Sequence, residues 1–266
     1  MNSPPETDDI WAELQRDAQK LAVEDPLLEK FVQVSIIENP NVVAAAARIL
    51  SERLATDTVP KEDLHAILTH ALAPVARVIC TDAQAYLRRD SACRDILTPF
   101  LFYKGFHATV TYRAAHRLWH EGKRGSAMWL QNRMTEVFSI DIHPAAQIDE
   151  GLMIDRGTGV VIGETAIIGK DVSIMQGVTL GGTGKETHDR HPIIRDSVLV
   201  SSGAKVLGRI EIGIGAKIGA GSVVLEDIPA YRTAVGVPAV VVGRPRSKTP
   251  SLDMDHTLND DQHKQG

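Results

Sequence analysis

Cysteine is scarce in this chain, and a large excess of one charge and long apolar runs are missing from it. Its 266 residues include two cysteines, Cys80 and Cys93. They form no CxxC pair and lack zinc-ligand spacing, so neither a disulfide framework nor a cysteine metal site is expected. No metal is expected elsewhere. Two reduced thiols fit a cytoplasmic protein. The net charge of -5 gives no reason to expect nucleic acid or an anionic membrane as partner. No apolar run approaches the roughly 20 residues that a membrane-spanning helix needs. Met1 to Asp9 is acidic and proline-containing, unlike a basic-then-apolar signal segment.

A hydrophobic content of 43% supports a sizeable core, in one large or two modest domains. Glycine is sparse before about residue 140 and abundant after it. A ladder of aliphatic side chains starts at the same place. Ile142, Ile148, Ile154 and Val160 stand six residues apart, and Ala166, Val172 and Val178 continue the series. It resumes at Ile194, Val200, Val206, Ile212, Ile218 and Val224. Period six fits neither an amphipathic helix, at about 3.6, nor an alternating strand, at about 2. It is the hexapeptide signature of a parallel β-helix, where each hexad forms one flat side and three sides complete a turn. Glycines recur three positions after the ladder, among them Gly151, Gly157, Gly163, Gly169, Gly203, Gly215 and Gly221. Tight corners with φ > 0 call for them.

The segment before residue 140 reads as helices. Pro26, Pro40, Pro60 and Pro99 fall near helix starts, where a missing N–H costs least. Asp25, Asn39 or Asn41, and Thr98 are the expected caps. Thr98 to His120 reads as one long helix, with Leu101, Phe102, Phe106, Val110, Ala114 and Leu118 near helical spacing. A second helix, from about Gly125 to Phe138, leads into the coil. The step from Val178 to Ile194 is no multiple of six, so residues 181–192 are expected to loop out. That loop carries Lys185, His188, Arg190 and His191, and polar loops on a regular scaffold are usual places for function. Gly181 to Lys185 has neither the spacing nor the following helix of a P-loop. The expected fold class is α+β. It comprises a helical N-terminal domain over 1–139, a parallel β-helix over 140–246, and a flexible tail over 247–266.

Six segments are specific enough to carry a resemblance: Thr98-Pro-Phe-Leu-Phe-Tyr-Lys-Gly-Phe-His-Ala, Asp141-Ile-His-Pro-Ala-Ala, Gly159-Val-Val-Ile-Gly-Glu-Thr-Ala, Val178-Thr-Leu-Gly-Gly-Thr-Gly-Lys, Asp189-Arg-His-Pro and Gly236-Val-Pro-Ala. Over nearly the whole chain, these features resemble the serine O-acetyltransferases, a family of left-handed, hexapeptide-repeat β-helix acyltransferases. The resemblance implies transfer of acetyl from acetyl-CoA to the L-serine hydroxyl, the first step of cysteine synthesis. It also implies homotrimers with active sites between neighbouring β-helices. The helical domains would join two trimers into a hexamer and complete the acceptor site. Cysteine inhibits many members at the serine site.

A serine hydroxyl needs a base to attack a thioester at neutral pH. The family uses a histidine held by an aspartate, as other base–orienter pairs do. Asp141 matches the aspartate. The histidine's place, in Asp155-Arg156-Gly157-Thr158-Gly159, is taken by Arg156. A guanidinium, with a pKa above about 12, stays protonated, so Arg156 accepts no hydroxyl proton. It is expected to pair with Asp141 and orient an anion, or to hold the substrate carboxylate. Losing a general base costs about 10²–10⁴ in rate. Three readings follow. Another group is the base, His191 first and His143 second; the acceptor is a different amino-acid-like molecule or an amine; or the chain is a non-catalytic regulatory homologue. A serine acetyltransferase weakened by Arg156 ranks first.

The resemblance carries amino-acid binding onto Asp90, Asp155, Arg190 and His191. Carboxylates would hold the amino group, and Arg190 the carboxylate in bidentate fashion. Glu164 would shape the same site. The resemblance carries the CoA arm onto Gly182, Ser202 and Ala220, where small side chains admit a ligand to the backbone. It carries the nucleotide phosphates onto Lys217, with Lys205 and Arg209 beside it. An N–H near Gly182 would face the developing oxyanion. With no cysteine in the motifs, transfer is expected in a ternary complex without an acetyl-enzyme. Members that bind cysteine synthase insert a tail ending in isoleucine. This chain ends His263-Lys264-Gln265-Gly266, which argues against that complex.

Overall fold

A computed structural model describes residues 7–184 and 187–257 of the chain. Helices fill its first half: α1 (Thr7–Glu24), α2 (Glu29–Val32) running into a π-helical turn (Gln33–Ile37), α3 (Val42–Leu54), α4 (Lys61–Leu72), α5 (Ala76–Arg89), α6 (Leu97–Phe102), α7 (Lys104–His120) and α8 (Arg124–Phe138). Asn41 caps α3, its side chain accepting from the Ala44 N–H at 3.0 Å. Asn39 instead donates to the Val34 carbonyl. Thr98 is not the cap of α6. Ile96 stands at the N-cap, and the Asp95 carboxylate one residue earlier accepts from both the amide and the hydroxyl of Thr98. Lys61–Arg89 is long and apolar enough to cross a membrane by length and composition. It is two helices joined by a 3-10 turn (Ala73–Val75), and Leu64, Leu68, Leu72, Ile79 and Tyr86 lie in the core.

The long helix expected from Thr98 breaks at Tyr103, which is extended with φ -86 and ψ 108. The cause is the path of α7. Its backbone lies so close to the coil that a Cβ on Gly105 would stand 2.0 Å from the Ile154 carbonyl oxygen. Helix α6 runs on a different line, and no proline marks the junction.

The coil follows in order. β1 (Ile140–Ile142), β2 (Gln147–Ile148) and β3 (Met153–Asp155) make the first turn, and β4 (Val160–Ile162), β5 (Ile167–Ile168) and β6 (Ser173–Met175) the second. β7 (Thr179–Gly181), β8 (Ile193–Ile194) and β9 (Leu199–Val200) make the third, and β10 (Lys205–Leu207), β11 (Glu211–Ile212) and β12 (Lys217–Ile218) the fourth. β13 (Val223–Val224), β14 (Thr233–Gly236) and β15 (Ala239–Gly243) close it. Strands of successive turns pair in parallel into three flat faces, β1-β4-β7-β10-β13, β2-β5-β8-β11 and β3-β6-β9-β12-β14, and β15 joins the third antiparallel.

Every residue of the six-residue ladder is buried. Its register nevertheless slips once. Ile142 stacks on Ile162, Ile148 on Ile168 and Ile154 on Ile174. Val160, Ala166, Val172 and Val178 are therefore not rungs of the same stack. They fill a second inward position, two residues earlier on each side; Val160, for instance, stacks on Ile140. The turn from Ile148 to Ile168 takes 20 residues, where that from Ile194 to Ile212 takes 18. The excess lies in the corner Asp155–Gly159. The turn from Ile168 to Ile194 takes 26 and contains the extruded loop.

The first turn has coil on one side only, and α5 and α7 cover its other edge. The Tyr86 hydroxyl donates to the Ile154 carbonyl and accepts from the Ile154 N–H, both at 3.1 Å. Asp82 accepts from the amides of Gly151 and Leu152 at 2.8 and 3.1 Å. Arg113 pairs with Asp82 at 3.1 Å and donates to the carbonyls of Ile148 and Asp149. Arg89 reaches the Gly151 carbonyl, and Tyr112 that of Ala146. A bare strand edge would invite pairing with another chain. Each buried group left unpaired would cost about 1–3 kcal/mol.

The segment after residue 246, expected to be flexible, is docked as far as Thr257. A short helix α9 (Pro250–Asp253) buries Pro250 and Ser251. Ser251 donates to the Asp171 carbonyl at 2.6 Å, and its own carbonyl accepts from Ser173 at 2.9 Å. Its polar composition hid this, because hydrogen bonds to the coil anchor the segment beside only two apolar contacts, Pro250 and Met254. The chain end, His263 to Gly266, lies outside the described residues.

Asp82→Ala is expected to lower unfolding stability by about 3–5 kcal/mol, since it strands a buried guanidinium. Urea denaturation would show this, and adding Arg113→Met should restore part of the loss.

Candidate active site

The oversized corner after β3 opens on a cleft of about 260 Å³. Asp90, Tyr103, Lys104, Asp155 and Arg156 line it, over a floor formed by Tyr86 and Gly105. Asp90 is the residue that ends α5, and its carboxylate accepts from the Ala92 amide at 2.8 Å. Asp155 ends β3. Burial, and then the nearby Asp90 carboxylate, push its pKa up. The break at Tyr103 turns its phenol toward Asp90, and burial followed by that charge raises it to about 12. Arg156 holds φ +58, a left-handed value uncommon without glycine. Its side chain is 76% exposed, with Nε 3.7 Å from Asp155. Within one chain Arg156 and Asp141 are not paired. Asp141 accepts from Gln131 at 2.6 Å instead. Burial pushes the thiol of Cys93 up to about 11 and that of Cys80 up to about 12, so neither is a nucleophile at neutral pH.

A groove descends the coil from this cleft. Gly159, Gly177, Gly203 and Gly221 stack at successive corners with φ between 69 and 77. Each amide below the first bonds to the turn above, Gly177 to Thr158, Gly203 to Gln176 and Gly221 to Ser202, all at 2.8 Å. Here a Cβ would be strained and would also fill the groove. Ser202 and Ala220, expected to face the CoA arm, stand on its rim. So does Gln176, whose side-chain carbonyl oxygen is buried without a partner among the described residues. Sequence reasoning passed over Gln176. The signal becomes visible only when it is aligned with Ser202 and Ala220 as the residue before a corner glycine. Lys217 is not open to phosphates: it is buried beneath the C-terminal segment and donates to the Thr257 carbonyl at 2.6 Å.

The remaining expected residues gather across the first face, where β4 turns toward β5 and the extruded loop returns to β8. Arg190 pairs with Glu164 at 2.7 Å, and this bond, ahead of other causes, holds the Glu164 carboxyl below its usual range. Thr165 organises the loop. Its hydroxyl oxygen accepts from the amides of Arg190 and His191 at 3.0 and 3.1 Å and lies 2.9 Å from Nδ1 of His191. The Thr165 amide also donates to that nitrogen at 3.2 Å. An N–H can only donate, so Nδ1 of His191 is the unprotonated nitrogen and the proton sits on Nε2. His143 is fixed in the same way, its Nδ1 accepting from the Ala145 amide at 3.1 Å. Burial lowers the pKa of both imidazoles, so both are neutral at pH 7. Each presents an N–H outward, with its basic nitrogen already engaged. The expectation of His191 or His143 as base is not met by this arrangement, which suits His191 to donating toward an anion.

Arg209 is absorbed internally. It donates to the carbonyls of Thr165 and His191 and pairs with Asp189. Lys205 likewise donates to the Gly177 carbonyl. Gly182 follows β7 and lies with Arg190, away from Ser202 and Ala220. One chain thus brings Asp90, Asp155, Arg156, Ser202 and Ala220 together along one corner. It brings Asp141, His143, Glu164, Gly182, Arg190 and His191 together along the next. It does not join the two sets. Lys185 lies outside the described residues. Among the described residues, no group of three or more His, Cys, Asp or Glu side chains could hold a metal.

A helical cap on a parallel β-helix, with a glycine-stepped groove running into a carboxylate cleft, is the build of a hexapeptide-repeat acyltransferase. The serine acetyltransferase of Salmonella typhimurium is 46% identical over 257 residues, 96% of this chain and 94% of its own length. The chain belongs to the serine acetyltransferase family. The family profile described as "Serine acetyltransferase, N-terminal" matches residues 10–111. The crystal structure of serine acetyltransferase from Vibrio cholerae superposes with a TM-score of 0.94 at 44% identity, covering 96% of this chain and all of that one. A serine acetyltransferase solved with CoA superposes at 0.85 and 43% identity, over 89% of this chain and 100% of the other. The soybean enzyme complexed with serine gives 0.87 and 41%, over 90% and 100%.

The His191 ring rests on Gly163, where a Cβ would lie 2.0 Å from its Cδ2 and Nε2. Gly163→Ala is therefore expected to swing the ring out of place while the coil stays folded. The ring resonances of His191 should shift by NMR, with an unchanged circular dichroism spectrum.

Proposed function

We propose that this protein transfers the acetyl group of acetyl-CoA to the hydroxyl of L-serine, in the service of cysteine synthesis. The observation that carries the reading is the pairing of Asp90 with Asp155 at the head of the glycine groove. Two carboxylates facing one cleft suit an ammonium group. The groove suits a long flexible arm, because the glycine corners leave the backbone uncovered. Arg190 and the Nε2–H of His191 suit the carboxylate of an amino acid. They stand on the far side of the first face, so a neighbouring copy would supply them. A homotrimer meets that need, and pairing of trimers through the helices would give a hexamer. Relatives solved with CoA and with serine support the same substrates.

Arg156 then takes over the position of the proton acceptor without its chemistry. The oxyanion formed on attack would be met by backbone amides near Gly182 and by the Arg156 guanidinium. Direct transfer in a ternary complex follows from the lack of any ionisable thiol at the cleft. Turnover is expected to be slow relative to an enzyme with an imidazole at position 156.

Release of CoA from acetyl-CoA, followed with serine, homoserine and simple amines, tests the reading. Serine is expected to be the preferred acceptor. Arg156→His should raise kcat, by no more than the about 10²–10⁴ that a general base contributes. His191→Gln should raise KM for serine more than it lowers kcat. No turnover with serine in either the native chain or Arg156→His, with CoA still bound, would overturn it.

A further inference from the structure

We propose that His256, carried on the docked C-terminal segment, is the general base of this protein. The proposal rests on serine acetylation at the cleft described above. Val200 is paired with Ile174, and Ile174 with Ile154, so the next residues, Ser201, Met175 and Asp155, form an outward column on the third face. That column borders both the cleft and the glycine groove. With strands about 4.8 Å apart, Ser201 and Asp155 stand about 10 Å from each other. Nδ1 of His256 lies 3.2 Å from the Ser201 hydroxyl. The imidazole and the Asp155 carboxylate also feel each other's charge. The ring is thus anchored on the Ser201 end of the column that Asp155 heads, on the face that leads to the cleft.

The segment is held on both sides of the ring. Thr257 is fixed by Lys217 at its carbonyl, and by Asp255, which accepts from its amide at 2.9 Å and its hydroxyl at 2.7 Å. Upstream, Ser251 is tied to Asp171 and Ser173. The partner of Nδ1 is what separates His256 from His191 and His143. Those two face backbone N–H groups, which force Nδ1 to accept. A hydroxyl accepts as well as donates, so Nδ1–H of His256 can rest on Ser201 and leave the lone pair of Nε2 free. The charged groups facing the ring are Lys217, Asp155 and Asp255. Burial and Lys217 keep it neutral at pH 7, and Asp155 stabilises the imidazolium once formed.

The step balances without further reagents. Nε2 takes the proton of the serine hydroxyl as its oxygen bonds to the acetyl carbon. The tetrahedral oxyanion collapses, the carbon–sulfur bond breaks, and the departing CoA thiolate takes that proton back from the imidazolium. Ser201 is a positioning residue in this scheme.

A double-mutant cycle with Arg156→His and His256→Gln tests it. In the native background, His256→Gln is expected to lower kcat about 10²-fold or more, with KM for serine and acetyl-CoA within about threefold. It should also abolish the rise of kcat with pH through the imidazole range. In the Arg156→His background, the same change should cost less than about threefold, because the returned imidazole makes His256 redundant. Ser201→Ala should lower kcat less and shift the pH midpoint. An equal loss in both backgrounds would mark His256 as a docking residue only and overturn the proposal, as would no loss in the native one. Those results leave serine turnover intact. Absence of serine turnover in all variants would sink the underlying reading instead.

Discussion

The free edge of the first coil turn is the constraint from which much of this structure follows. A β-helix has two ends, and each end exposes unpaired backbone groups. Here, side chains from two helices pair with the upper end. Tyr86 occupies both backbone positions of Ile154, and Asp82 occupies two amides at the corner before it. Arg113 is held by Asp82 and bonds the carbonyls of Ile148 and Asp149, just before that corner. All of these groups are buried, so the pair is fully committed on both sides. Breaking one partner costs far more than the pair contributes, because an ion is left behind in a medium that solvates it poorly. The helical part and the coil are thereby locked in one relation, and Ile154 is the point of closest approach. Asp155 and Arg156, the next two residues, inherit their positions from that lock.

A perfectly regular coil has little room for chemistry. Its inward positions are packed and its faces are flat. The functional groups collect where the repeat is broken. Two residues too many after β3 give the corner that carries Asp155 and Arg156, and a longer excess after β7 gives the loop that carries Arg190 and His191. Each break leaves the stacks above and below in register, so the scaffold accommodates both without losing its core.

Much of this was legible in the sequence. Period six gave the coil, the sixteen-residue step after Val178 gave the loop, and Asp90, Asp155 and Arg156 do share one cleft. The slip at Asp155–Gly159 was not legible, because Val160, Ala166, Val172 and Val178 are as apolar as true rungs and are equally buried. Only pairing shows that Ile162 is the residue above Leu180. The break at Tyr103 was hidden because its cause, contact between Gly105 and Ile154, joins residues about fifty apart. The docked tail was hidden because polar side chains anchor it. The tautomers of His143 and His191 follow from amides two and twenty-six residues away, and no motif encodes such partners.

The placement of Arg156 reconciles a retained site with an altered reaction. An imidazole at this corner could take up and release a proton near neutral pH. A guanidinium is charged throughout, and it stands beside the carboxylate that an incoming ammonium would use. Yet the pair is long at 3.7 Å and the arginine side chain is largely in water. An exposed contact of that kind is worth about 0–1 kcal/mol, so a substrate can displace it without great loss of affinity. The substitution therefore removes a proton acceptor more completely than it removes a binding site. That asymmetry is what lets an imidazole approaching from the third face take up the proton while Asp90, Asp155 and the glycine groove keep their geometry.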